Sequence, residues 1–162
     1  MGPHAPAGTT PRRAVRARVL PALAALALLL GACSAGVEVS VPAGGSSPAC
    51  AAVAARWPTT VGGKATVETS PAAPAVHAWG DPPVVARCGL PEPGPTTDQC
   101  LGVSGVDWVA HRLSDGVRFT TYGRSPAIEV LVPSDYRPEP LLLGAFTRAA
   151  QAVPQGEHRC SG

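Results

Sequence analysis

The chain has 162 residues, 45% of them apolar but only 4% aromatic, so a core can form but must be built mostly from Val, Leu and Ala. Nineteen prolines and eighteen glycines argue against long helical bundles and coiled coils. A formal charge of +2 excludes a strongly electropositive nucleic-acid binder.

Residues 1–18 carry Arg12, Arg13, Arg16 and Arg18 and no acid. An uncharged run from Val19 to Leu30 follows. It is far shorter than the roughly 20 residues of a spanning helix, so the pattern reads as a secretory signal over residues 1–32. The run ends Leu30-Gly31-Ala32-Cys33, which resembles the bacterial lipobox. The resemblance implies transfer of a diacylglyceryl group to the Cys33 thiol, cleavage before Cys33 and acylation of the new amino group. Two or three acyl chains hold a protein on a bilayer far better than one. Arg12-Arg13 raises the twin-arginine route, but Ala14-Val15-Arg16 lacks the apolar pair expected next, which favours general export. Cleavage removes four of the thirteen cations and none of the eleven acids, leaving a mature charge of −2. The expected localisation is the extracytoplasmic face of the cell membrane, with the lipid on Cys33 as the membrane contact and no nucleic-acid partner.

Residues 33–47 have the small-residue composition of a flexible tether, although Val37, Val39 and Val41 alternate as a strand would. A single α+β domain is expected over 48–162. Ser47 can cap a helix with Pro48 at its first position and Pro58 as its stop. Cys50, Val53, Ala54 and Trp57 would share its buried face. Gly62-Gly63 marks a turn, and Ala65–Glu68 a short strand. The proline-rich stretch 70–83 reads as irregular. Val84–Cys88 fits a buried strand, and 89–100, with three Pro and two Gly, a loop.

Three strands follow, Val106–Leu113, Val117–Tyr122 and Ala127–Val132, joined by turn-forming segments. Val106, Trp108 and Ala110 share one side, as do Val117, Phe119 and Thr121, and Ile128, Val130 and Val132. From about 138 to 153, Leu142, Ala145, Phe146, Ala149 and Val153 recur at helical spacing until Pro154. The expected architecture is thus a small antiparallel meander with an N-terminal and a C-terminal helix packed on one face.

Beyond Cys33, four cysteines remain: Cys50, Cys88, Cys100 and Cys160. An even number in an exported domain reads as two disulfides, with three connectivities open. Cys88–Cys100 would staple the Pro/Gly loop, and Cys50–Cys160 would tie the first helix to the tail. A zinc site is the alternative, but no CxxC is present and His158 with Cys160 is the only close pair, so no metal is expected. With no Gly-rich phosphate loop, no cofactor is expected either.

Trp79-Gly80-Asp81-Pro82-Pro83, Arg87-Cys88-Gly89, Gly105-Val106-Asp107-Trp108 and Thr121-Tyr122-Gly123-Arg124-Ser125-Pro126, behind a lipobox, resemble the actinobacterial lipoprotein family named domain of unknown function 3515. The resemblance covers nearly all of 48–160 and implies an envelope lipoprotein. It assigns no catalytic residue.

No HExxH or GxSxG motif exists, and Gly102-Val103-Ser104-Gly105 is one residue short of a nucleophile elbow. Asp107 and His111 on one strand would stand about 13 Å apart, too far for a direct pair. No neighbour at helical or strand spacing completes a site around His77, His111 or His158. Trp79, Asp81, Arg87, Asp107, Arg124 and Glu129 form the richest polar set. They read either as turn and ion-pair residues or as a groove with Arg87 or Arg124 clamping a carboxylate. The resulting expectation is a non-catalytic binding or accessory module of the envelope, facing a partner protein or wall component. A hydrolase acting on wall material is the alternative.

Overall fold

Alternation of apolar and polar residues along the chain builds a sheet larger than a meander. The computed structural model describes residues 1–2 and 36–161. Residues 3–35, with most of the expected signal segment and Cys33, lie outside the described residues. The strands are β1 (Val37–Glu38), β2 (Thr60–Val61), β3 (Lys64–Val67), β4 (Thr69–Ser70), β5 (Val76–Trp79), β6 (Val84–Leu90), β7 (Gln99–Val103), β8 (Val106–Arg112), β9 (Gly116–Thr121) and β10 (Ala127–Pro133). Eight form one antiparallel sheet in the order β2-β3-β5-β6-β10-β9-β8-β7, while β1 pairs in parallel with β4. The meander expected over 106–132 is β8-β9-β10, with Trp108 opposite Thr121 and Val130 opposite Phe119.

One face of this sheet is the core. Trp79, Ala86, Cys88, Trp108, Phe119, Ile128 and Val130 are all fully buried there. Helix α1 (Pro48–Ala54) packs on it, its N-terminus capped by the Ser47 hydroxyl accepting from the Cys50 N–H at 3.3 Å. Cys50 and Val53 supply its buried face. The C-terminal element differs from the expected α-helix. Glu139–Phe146 is a 3-10 helix, and only Thr147–Ala150, α2, is α-helical. Pro138 and Pro140 sit where a helix start tolerates proline, and the tighter winding that follows repeats every three residues. The buried pair is therefore Leu143 and Phe146, whereas Leu142 is only partly buried and Ala145 is exposed.

Two strands fall where loops were expected. β5 lies between the prolines of 70–83, and β7 follows the Pro/Gly stretch. Residues 36–47 also depart from a free tether. Val37 and Val39 pack on Val76, Ala78, Val85 and Leu131, on the face of the sheet opposite the core. Ala43–Ser46 forms a 3-10 turn against β6, where Gly44 and Gly45 meet the backbone of Gly89.

The cysteine pairing is corrected as well. Both disulfides form, but as Cys50–Cys88 and Cys100–Cys160. Three strands separate β6 from β7 in the sheet, which makes four interstrand spacings, or about 19 Å. A disulfide needs Cα atoms within about 7 Å, so Cys88 cannot reach Cys100. Cys88 faces the core beside α1, which brings it to Cys50. Leu101 packs on the core, so Cys100 points to the opposite face, where it meets Cys160 of the tail.

Candidate functional site

Strand parity gathers charged side chains on the outer face of the sheet. Because Ala86, Cys88, Ile128 and Val130 point inward, Arg87 and Glu129 must point to the outer face. The β6–β10 register sets them directly opposite each other. Arg87 reaches Oε1 of Glu129 through both Nε and Nη2 at 2.7 Å. Its Nη1 donates to the Ser40 hydroxyl, which ties the N-terminal segment to the same charge pair. The Glu129 side chain is only 4% exposed. A carboxylate so desolvated needs its bonded partner, and Arg87 supplies it.

The next outward residue along β9 is Arg118. Its Nε stands 4.0 Å from Oε2 of Glu129, and its side chain is 40% exposed. Register places Arg118 opposite His111 of β8, and Thr120 opposite both Glu129 and Val109. The segment Leu90–Thr96, with Pro91, Pro93 and Pro95, overhangs this floor. Between them lies a cavity of about 440 Å³. His111 bonds through Nδ1 to Asp98 at 3.0 Å on its rim. A second cavity of about 420 Å³ shares that His–Asp pair and is otherwise lined by Leu101, Ala110, Phe119 and Glu139.

The remaining members of the expected polar set are dispersed. Trp79 is a core residue whose indole N–H donates to the Pro58 carbonyl at 2.9 Å. Asp81 is exposed in the turn before β6. Arg124 is 5% exposed and donates through Nη1 to the Val153 carbonyl, while its Nε is buried without a partner. Burial pushes its pKa below the usual arginine value, opposed by the nearby Asp107. Asp107 itself accepts from the Cys160 N–H at 3.2 Å. This second cluster braces the tail against the sheet, so of the two arginines weighed as clamps only Arg87 belongs to the charged floor.

Two histidines have the carboxylate partners that local spacing did not supply. His111 finds Asp98 from the segment before β7, and His158 finds Glu92 at 2.6 Å while stacking on Tyr122. His77 bonds to the adjacent Val76 carbonyl and packs against Trp57 and Trp79. Among the described residues, no hydroxyl or thiol hydrogen-bonds to any of these rings. All four cysteines there are paired, and no group of three His, Cys, Asp or Glu could hold a metal ion. Sequence reasoning misses the floor residues Arg118 and Thr120 and the rim residue Asp98. The alternation on β9 already put Arg118 and Thr120 on the outer side, but their meeting with Glu129 depends on a register that only the fold supplies.

No curated protein and no solved structure matches the chain. The sequence model described as "Protein of unknown function (DUF3515)" matches residues 18–157. The chain belongs to the DUF3515 family.

Proposed function

We propose that the chain is a membrane-anchored extracytoplasmic lipoprotein whose domain is a non-catalytic binding module of the cell envelope. The observation that carries this reading is the pairing of all four domain cysteines, which suits an oxidising compartment. The lipobox-like Leu30–Cys33 stands upstream of that domain and supplies the membrane contact through lipid on Cys33. The outer-face cavity, with its buried Glu129 and exposed Arg118, supports binding of an envelope protein or wall component. Among the described residues, no helix is long and apolar enough to cross a membrane.

A second reading, a wall hydrolase, draws on His111–Asp98 at the mouth of two cavities. The pair resembles a base with its orienting carboxylate, but it lacks the nucleophile that such a site activates. Mass spectrometry of the mature N-terminus tests the first reading. An acylated Cys33 is expected, and its loss in Cys33→Ser; an unmodified terminus at another position would retire it. Affinity capture after crosslinking in native membranes tests the binding role. A His111→Ala chain that folds and keeps its cellular role counts against the hydrolase.

A further inference from the structure

We infer that the outer-face cavity is a site for an apolar α-amino acid in its zwitterionic form, a proposal that rests on the binding-module reading above. The floor offers two opposite charges side by side. Oε1 of Glu129 is occupied by Arg87, but Oε2 has no hydrogen bond among the described residues, and Glu129 lines the cavity. Arg118 approaches it only at 4.0 Å, and the terminal nitrogens of Arg118 have no protein partner there. An acceptor and a donor fork thus adjoin in one cleft.

A simple anion would meet Glu129 and Asp98, and a simple cation would meet Arg118. A zwitterion answers both. Its ammonium can donate to Oε2 of Glu129, and its carboxylate can take the planar fork of Arg118, the geometry that guanidinium groups bind best. Its two charged groups are joined through a single carbon, which suits neighbouring rather than distant partners. The volume of about 440 Å³ exceeds what the charged groups need, and Val109, Leu90 and the prolines provide an apolar wall for a side chain. Proline fixes much of that wall's backbone before binding, which lowers the ordering cost.

Isothermal titration of the full chain in detergent micelles tests this with L-leucine, leucinamide and N-acetyl-leucine as probes. Leucine should bind about tenfold or more tightly than either blocked form, because each leaves one charged partner unanswered. Arg118→Gln should erase the preference for leucine over leucinamide without moving the melting temperature, since the side chain is exposed. Should that variant misfold, Arg118→Lys is the second test: it keeps the charge but loses the planar fork, so it should weaken leucine and leave leucinamide unchanged. Equal affinity for all three probes, or no heat from leucine at millimolar concentration, would overturn the inference. Partner capture from membranes by the same preparation separates the two readings. Capture retained without leucine binding removes only the amino-acid site, and loss of both removes the binding module as well.

Discussion

Arg87 and Arg124 carry the same charge, yet their surroundings give them different work. Arg87 spends its donors on a buried carboxylate and on Ser40. Arg124 is enclosed, with one donor on the Val153 carbonyl and another unanswered. Replacing it with Ala leaves that carbonyl and Asp107 without their cation. We expect Arg124→Ala to lower the melting temperature by several degrees, corresponding to roughly 1 kcal/mol or more, while partner capture by the folded fraction is retained. Unchanged melting with lost capture would assign it to a contact surface instead. Tyr136 offers a test by pH. Its hydroxyl donates to the Pro82 carbonyl at 2.7 Å, and burial, then Asp81 and Asp135, raise its pKa above the usual value. The folded state therefore favours the neutral phenol. That contribution is complete below the unfolded pKa of about 10 and is lost as pH rises through the higher folded value. Denaturant titrations should show wild type more stable than Tyr136→Phe at pH 8, with the gap closing above about pH 10. A gap that stays constant across this range would show that Tyr136 titrates alike in both states. Individual side chains were legible where parity alone decides, as for the inward Phe119 and the outward Arg118. The partners of Arg118, His111 and His158 come from distant segments, and no local spacing encodes them.

At the scale of elements, hydrophobic alternation identified β6, β8, β9 and β10, whose inward residues form the core. β5 escapes because it is only four residues long, Val76–Trp79, between the flanking proline clusters, and a strand that short carries little periodic signal. β7 is an edge strand of mixed exposure, and its evidence lay in the next two residues. Ser104 and Gly105, at φ of 52° and 76°, form the two-residue turn between Val103 and its partner Val106. Their place in this turn accounts for Ser104 and Gly105 without a catalytic elbow. The N-terminal turn shows how glycine spacing sets packing. Gly89 sits at φ 113° in β6, and a Cβ there would collide with the backbone of Gly44 and Gly45. Gly89→Ala therefore strains its own backbone and pushes the 43–46 turn away from Cys88. Chemical denaturation should show a loss of more than about 1 kcal/mol. Tolerance of alanine without change in midpoint would mean that the turn is not held against β6 in solution.

At the scale of the whole domain, two disulfides close the fold. On the lipoprotein reading, the four residue steps from Cys33 to Val37 span at most about 14 Å. β1 would then lie close to the lipid headgroups, rather than at the end of a long tether. The two disulfides close loops with sequence separations of 38 and 60. The chain-entropy relation assigns them about 3.9 and about 4.3 kcal/mol, a difference too small to rank them. Exposure ranks them instead. Cys50 and Cys88 are 1% and 0% exposed beneath α1, whereas Cys100 and Cys160 are partly exposed on the outer face. Exchange requires a thiolate to reach a sulfur atom, so a small reductant should open Cys100–Cys160 first. The consequence is local. The tail loses its covalent tie and keeps the His158–Glu92 contact, the His158 stack on Tyr122 and the bonds of Gln155. The core behind Cys50–Cys88 should stay closed. Timed reduction followed by alkylation and peptide mapping should label Cys100 and Cys160 well before Cys50 and Cys88, with near-ultraviolet dichroism of the buried tryptophans unchanged at the first stage. Simultaneous labelling of all four cysteines would show that the tail disulfide and the core open in one cooperative step.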